Sequence, residues 1–252
     1  MKTEHRITRK LALLLGITAL AVIGMFMIPA VPQDLAYHEF ADRSRWFGVP
    51  NFWNVATNLS FLLIGLAALR ELGHGMLPEL RASYFSFFIG IALIALGSAY
   101  YHLTPNNATL VWDRLPMTVA FMAFVSIIVG EHLSRQAGRK LLWPLIFLGI
   151  ASIVYWHLTE QSGHGDLRPY GLVQFLPMLL IPLILLLFPP SFTGTGYVWA
   201  LLGFYGVAKL AELLDEPIFR VMYPISGHAL KHVLAALGAY CFLVGLRRRK
   251  PV

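Results

Sequence analysis

The stretch SYFSFFIGIALIALGSAYYH, residues 83–102, is apolar for most of its length and polar at its end. About 20 mostly apolar residues in a helix are what the hydrocarbon core of a bilayer requires. We therefore predict a transmembrane helix here. Its last turns carry Ser98 and His102, which are four residues apart and so lie on one helix face.

The rest of the chain repeats this pattern. Windows of similar length and composition lie at residues 11–31, 52–69, 110–130, 141–158, 171–188, 197–214 and 227–246. The chain is 57% hydrophobic and only 13% charged, whereas soluble domains have roughly 25% charged residues. Because the linkers between the windows are short, we predict an all-α polytopic membrane helix bundle of eight spans, with no soluble domain.

The formal net charge of +7 follows from topology rather than from an acidic partner. If the N-terminus is cytoplasmic, clusters of Lys and Arg at residues 2–10, 135–140 and 247–250 fall on the cytoplasmic side. The opposite side carries a few arginines, namely Arg43, Arg45, Arg114, Arg168 and Arg220. This is the positive-inside pattern. It predicts a cell (inner) membrane protein with both termini cytoplasmic and no nucleic-acid partner.

The N-terminal segment, residues 1–32, has two interpretations. Basic residues before an apolar run are typical of a signal peptide or signal anchor. However, the apolar run 11–28 is longer than a usual signal core, and PAVP at 29–32 is a poor cleavage site. We favour a retained helix. The single cysteine, Cys241, has no partner for an intrachain disulfide.

Candidate metal ligands gather at one predicted end of the bundle. His228 and His232 share a face of the last helix, because they are four residues apart, and His102 ends another helix that points the same way. Three imidazoles with an open fourth position are typical of a catalytic zinc site. Helix order places this site at the non-cytoplasmic face.

Asp113 and Ser98 are predicted to be catalytic. An ionised carboxylate within a membrane helix costs about 2.5–3.5 kcal/mol unless it is paired or hydrated, so Asp113 indicates function. It could transfer protons, and Ser98 could donate to an oxyanion, although a serine can also bond to a carbonyl of its own helix. The other histidines considered are interpreted as interfacial hydrogen-bonding residues: His38, His74, His132, His157 and His164.

Two further polar groups keep two interpretations each. Asn51, Asn54 and Asn58 are spaced as one helix face, and either bond neighbouring helices, or support the site or hold a polar head group. Three acidic residues are predicted to end the seventh helix, either solvated or bonded to zinc ligands: Glu212, Asp215 and Glu216.

Four motifs resemble the alkaline ceramidases, within a superfamily of seven-helix membrane hydrolases that includes the adiponectin and progestin receptors. The motifs are FWNVATN at 52–58, GSAYYH at 97–102, DRLPM at 113–117 and GHALKH at 227–232. The resemblance implies a seven-helix hydrolase core at residues 33–252 with one added N-terminal helix at 1–32. It also implies hydrolysis of the amide of an N-acyl sphingoid (ceramide-like) lipid to a fatty acid and an amine, at zinc held by His102, His228 and His232 beside Ser98 and Asp113.

The chain departs from this family at two places. Eukaryotic members bind calcium through an acidic N-terminal cluster and a Glu before the aromatic pair, whereas Asn51 stands there and only Asp34, Glu39 and Asp42 lie upstream. We therefore expect calcium not to be needed. The stretch GDLRPYGLVQF at 165–175 is similar to bacterial ceramidase-like proteins, so the substrate need not be ceramide itself.

Other functions remain open. A lipid-responsive receptor or structural membrane protein could use zinc only to tie helices together, in which case four protein ligands are expected rather than three. A hydrolase of another lipid class, such as a phospholipid or GPI-lipid hydrolase, would use the same site. A transporter is disfavoured, because its ionisable residues should lie near the membrane midplane.

Overall fold

The computed structural model describes residues 2–252, with side chains described from residue 5, and nearly all of this chain is helical. The α-helices are α1 Lys2–Met27, α2 Phe52–Ala56, α3 Leu59–Arg70, α4 Arg81–Leu103, α5 Asn107–His132, α6 Arg135–Gln161, α7 Arg168–Leu187, α8 Gly196–Leu213, α9 Asp215–Met222 and α10 Gly227–Arg248. Two short strands, β1 Arg45–Trp46 and β2 Val49–Pro50, pair as an antiparallel hairpin before α2.

The predicted all-α membrane bundle is confirmed. Among the described residues, seven helical segments are long and apolar enough to cross a membrane, when α2 and α3 are taken as one segment. The remaining predicted window, residues 197–214, contains α8, which passes the same test only together with α9, and these two helices are bent by 85° relative to each other. The chain is thus a multi-pass membrane protein with up to eight spans.

The bend after α8 corrects one prediction. Glu212 lies at the end of α8, but Asp215 and Glu216 form the first turn of α9 instead of the end of the same helix. Pro217 explains the break, because it has no N–H to donate to the carbonyl of Leu213 four residues earlier. A proline in the first turn of α9 loses no helical hydrogen bond, because the N–H groups of a first turn have no acceptor within the helix.

The predicted asparagine face of the second span is also partly wrong. Asn51 precedes α2 with a φ of 48°, in the left-handed region, and has no helical position. The span is then interrupted at Thr57 and Asn58 before α3 begins. Of the three asparagines, only Asn54 therefore lies within a helix.

Polar caps start the helices whose first turns carry the candidate site. The Asn106 side chain accepts hydrogen bonds from the backbone N–H groups of Ala108 and Thr109 at the start of α5. Ser226 does the same for Ala229 at the start of α10. Such caps satisfy donors that a helix start leaves free, and they fix where each helix begins.

The core joins α4, α5 and α10. Phe87, Phe124 and Phe242, one from each helix, have ring centroids 5.2–5.5 Å apart. Nearer the candidate site, Gly97 lies so close to the backbone carbonyl of Trp112 that a Cβ at residue 97 would overlap it. This close approach of α4 and α5 brings Ser98 towards Asp113.

The first helix lies at the edge of this bundle. It packs against α7, and most of its surface is exposed. Where the two helices meet, the Arg168 guanidinium donates to the carbonyl of Ile28 at 2.7 Å and to both carboxylate oxygens of Asp166. The hydrogen bonds from Arg168 lower the pKa of the Asp166 carboxyl to about 2, so this junction stays charged over the physiological range.

Candidate functional site

Three buried histidines meet at the end of the bundle where α4 finishes and α5 and α10 begin, here called the site end. His102 is in the last turn of α4, and His228 and His232 are in the first two turns of α10. One ligand nitrogen of each lies within 4.8 Å of the others. Among residues 5–252, no other set of three or more His, Cys, Asp or Glu side chains converges in this way. This group could hold a metal ion.

Two of the ring nitrogens have the spacing that a tetrahedral metal needs. The Nε2 atoms of His102 and His228 are 3.2 Å apart. Two nitrogens at 2.0–2.1 Å from one tetrahedral ion, the zinc–nitrogen distance, would be about 3.4 Å apart. His102 and His228 therefore fit two positions of such a metal, and a nitrogen of His232 lies within 4.8 Å of theirs.

The third ring is oriented by a hydroxyl. Thr57 Oγ1 lies 2.7 Å from the carbonyl of Trp53 and 3.0 Å from Nδ1 of His232. Because the single hydroxyl hydrogen is donated to that carbonyl, Nδ1 of His232 is the donor in the second contact. The proton then sits on Nδ1, and Nε2 is left with a free lone pair, as metal ligation requires. Thr57 was not expected from the sequence to act here.

Apart from Thr57, the polar residues around the histidines bond to the histidine backbones or to each other rather than to the rings. Asn51 donates to the carbonyl of His102 at 2.8 Å, and Asp215 accepts from the N–H of His228 at 2.7 Å. The Ser226 hydroxyl donates to the Asn54 side chain at 3.1 Å, which ties α10 to α2. Asn51 and Asn54 thus make hydrogen bonds to other parts of the bundle, whereas Asn58 donates to the carbonyl of Asn54 in its own span. Asp215 contacts no imidazole nitrogen.

Asp113 and Ser98 lie beside the histidines without joining them. Both are buried, face each other, and line one cavity together with His232. Asp113 is outside the group of converging ligand atoms. Ser98 makes no hydrogen bond to a carbonyl of its own helix within the described chain, so the predicted alternative of back-bonding is not what the structure shows. The five predicted site residues are therefore brought together at one place.

The cavity next to the histidines has a volume of about 320 Å³. Aromatic and aliphatic side chains of several helices form most of its wall, among them Phe87, Phe121, Phe124 and Phe175. Its polar end contains Asp113 and residues from α8, α10 and the segment before the hairpin. An apolar chamber with polar groups at one end suits a lipid with a polar head group.

Comparison with known proteins identifies the family. The ceramidase family profile matches residues 48–185, which is more than half of the chain. The chain belongs to the ceramidase family. It is also 23% identical over 209 residues to alkaline ceramidase 3 of Mus musculus, an alignment that covers 78% of this chain and 76% of that relative. Membership makes this protein an amide-bond hydrolase with a lipid substrate.

The family match contains part of the candidate site. Ser98, His102 and Asp113 lie within residues 48–185, while α10 lies beyond them. His228 and His232 lie outside the matched residues, but in the structure their ring nitrogens lie within 4.8 Å of a ring nitrogen of His102, which is inside the match. The structure, rather than the profile, thus places His228 and His232 next to His102.

The sequence did not predict that Arg114, Lys209 and Lys231 line the cavity. Lys231 donates to Glu212 at 2.6 Å, and Lys209 contacts the other carboxylate oxygen. Tyr37 lies 3.5 Å from Glu212, and burial raises the pKa of the Tyr37 phenol, so it stays neutral. Arg114, the neighbour of Asp113, lines the same cavity. The positions of these three basic residues inside predicted membrane helices were the available signal in the sequence. A charged side chain in a membrane helix is costly, so it usually has a functional or structural partner.

The acidic residues before α2 are engaged in local contacts. Asp42 is fully buried, and its carboxylate accepts from the Ser44 N–H and hydroxyl and from the N–H groups of Trp53 and Asn54. Asp42 therefore caps the start of α2 although it lies ten residues before that helix in the sequence. Asp34 caps the short turn Leu35–His38, and Glu39 is an exposed partner of Arg43.

Proposed function

We propose that this ceramidase-family protein is a zinc-dependent intramembrane hydrolase that cleaves the amide bond of an N-acyl lipid to a fatty acid and an amine. His102, His228 and His232 would hold the zinc, and Asp113 and Ser98 would be catalytic. The observation that carries the proposal is the convergence of three buried histidine nitrogens beside an apolar cavity that also contains Asp113.

Amide hydrolysis needs an activated water, a polarised carbonyl and a proton for the departing nitrogen. Zinc, when bound, supplies Lewis acidity that lowers the pKa of water and polarises a carbonyl. Asp113 takes the proton from the attacking water and returns it to the amine nitrogen as the carbon–nitrogen bond breaks. Ser98 donates a hydrogen bond to the carbonyl oxygen as negative charge develops there.

Ser98 is not the attacking group in this proposal. A serine nucleophile needs a neighbouring base within hydrogen-bond reach. The ring of His102 instead faces His228, with their Nε2 atoms 3.2 Å apart, and the ring of His232 is held by Thr57. The residue that faces Ser98 is Asp113, which the chemistry requires for proton transfer.

The arrangement in the membrane follows from the same proposal. Residues 33–252 would form the hydrolase domain, and residues 1–32 an added helix that reverses the side of the N-terminus. The peripheral position of α1 against α7 supports this division. Charge asymmetry favours cytoplasmic termini in the cell membrane, with the site end facing the non-cytoplasmic side, where a lipid head group is available.

A panel of lipids tests the proposed function. Purified protein in neutral detergent should release a fatty acid and a free amine from at least one N-acyl lipid, detected by mass spectrometry. The panel should include ceramides, N-acyl amino acids, N-acylethanolamines and phospholipids, with the His228→Ala/His232→Ala protein as the inactive control. Release of fatty acid only from ester lipids would replace amide hydrolysis by phospholipid hydrolysis, and bound zinc without any product would favour the receptor or structural role.

Calcium provides a second test. We expect hydrolysis to be unchanged in calcium-free buffer in which free zinc is held constant, because calcium prefers six to eight oxygen ligands and the Asp42 carboxylate already accepts four hydrogen bonds. Calorimetry should show no micromolar calcium affinity. Such an affinity, lost in Asp42→Asn but kept in Glu39→Gln, would show that the loop before α2 is a calcium site.

A further inference from the structure

Arg114 is a buried cation that the proposed reaction does not use. It follows Asp113 on α5, is only 6% exposed, and lines the cavity. Its guanidinium lies 4.5 Å from the ring centroid of Trp156 and 4.7 Å from that of Tyr170. One terminal nitrogen, Nη2, donates to the Gln33 side chain at 2.6 Å. These contacts hold the guanidinium in a fixed position.

Arg114 forms no ion pair within the described chain. No carboxylate oxygen there lies within 4.0 Å of its guanidinium, and its Nη1 atom has no hydrogen-bond partner. The other deeply buried arginine, Arg249, shows the usual solution, since it pairs with Glu131 at 2.8 Å and also donates to Tyr84. A buried charge without a partner is costly, so it indicates a partner that arrives with the ligand.

The two carboxylates that line the cavity do not fill this role. The charge of Asp113 interacts with that of Arg114, but over a longer distance than an ion pair. Glu212 already binds Lys209 and Lys231 through its two oxygens. Together with Arg114, these two lysines give the cavity three cations against the carboxylates of Glu212 and Asp113, among the residues that line it. The polar end of the cavity therefore carries an excess of positive charge, which attracts an anion and disfavours a cationic head group.

We propose that the substrate is an N-acyl lipid whose head group carries an anion, and that Arg114 binds this anion. The inference rests on the proposed function and names the substrate class of the same site. Planar guanidinium groups suit carboxylate, sulfonate and phosphate oxygens, to which they donate charge-assisted hydrogen bonds. Asp113 would act on the scissile amide, and Arg114 would bind the anion. Because these two residues are consecutive and line one cavity, the amide and the anion must be close together in the substrate, as they are in an N-acyl amino acid.

Binding of matched, uncleavable compounds tests this inference. N-(hexadecylsulfonyl)glycine, N-(hexadecylsulfonyl)taurine and N-(hexadecylsulfonyl)ethanolamine share one chain and one sulfonamide, and differ in ending with a carboxylate, a sulfonate or a neutral hydroxyl. Their affinities for the full-length, zinc-loaded protein in neutral detergent are measured by calorimetry. We expect at least one anionic compound to bind about tenfold or more tightly than the neutral one. The comparison of the two anions distinguishes carboxylate from sulfonate recognition.

Two variants test whether Arg114 causes the preference for an anionic head group. Arg114→Gln should reduce the affinity for the favoured anion about tenfold and bring it close to that for the ethanolamine compound, whose own affinity should hardly change. Arg220→Gln removes an exposed arginine paired with Glu216 and should keep the full preference. If Arg114→Gln does not yield folded protein, the three compounds on the unmodified protein still decide the question.

The outcomes separate this inference from the proposed function. Equal affinity of the unmodified protein for all three compounds would overturn it, as would a preference that survives in folded Arg114→Gln. Amide hydrolysis could still be found in either case. Conversely, an Arg114-dependent preference for an anion in a protein that cleaves no N-acyl lipid would keep the anion site and remove the proposed reaction.

Discussion

Replacing His228 and His232 together by alanine should eliminate bound zinc and reduce amide hydrolysis to background. The two residues supply two of the three ligand nitrogens, and a lone imidazole from His102 cannot retain the ion. Zinc per protein is measured by elemental analysis after purification in neutral detergent, and hydrolysis by mass spectrometry of the released fatty acid. We expect about one zinc per chain in the unmodified protein and almost none in the variant.

A matched variant controls for loss of unrelated histidines. His74 and His164 are exposed and distant in the chain from the converging group, so His74→Ala/His164→Ala should keep both zinc and activity. Full zinc occupancy in His228→Ala/His232→Ala would refute the ligand assignment. Loss of zinc with unchanged hydrolysis would mean that the metal is structural and that the catalytic group lies elsewhere.

Asp113→Asn should keep zinc but lose hydrolysis by about 100-fold or more, which is the usual contribution of general acid–base catalysis. The amide has the shape of the carboxylate and can still contact Ser98, but it cannot accept and return a proton. Because Asp113 is not among the converging ligand atoms, its replacement should leave the metal in place. Zinc content and the maximal rate, measured on the same preparation, check both parts.

The control for Asp113→Asn is Glu216→Gln, which neutralises an exposed carboxylate on α9. It should behave as the unmodified protein does. Normal turnover by Asp113→Asn would make Asp113 structural and require another base. The structure makes Asp215 a poor replacement, since its oxygens accept from the N–H groups of His228 and Ala41, and Glu212 is held by two lysines.

The membrane helices and the meeting of the three histidines could be predicted, because they follow from the apolar windows, the order of the helices and the spacing of residues within a helix. An apolar window of sufficient length predicts a membrane helix, and the order of the helices then places the ends of α4 and α10 on one side. Spacing of four residues put His228 and His232 on one face. The same reasoning missed the bend at Pro217, since the apolar window before it ends where a membrane helix would end anyway.

The cavity charges could not be assigned in the same way. Arg114 was counted in the sequence as one of a few arginines on the non-cytoplasmic side, and only the fold shows that it is buried among aromatic rings without a carboxylate partner. The pairing of Lys231 with Glu212 joins two helices, so it depends on tertiary packing. Thr57 orients His232 across α2 and α10, and no spacing within one helix predicts such a contact.

The two hydrogen bonds accepted by Asp215 have a consequence for local unfolding. One carboxylate binds the N–H of Ala41, in the segment before the hairpin, and the N–H of His228, in the first turn of α10. Neither bond is independent of the other, because any motion that withdraws Asp215 releases both amides. We therefore expect these distant parts of the chain to open together, and the amide hydrogens of Ala41 and His228 to exchange with solvent at similar rates.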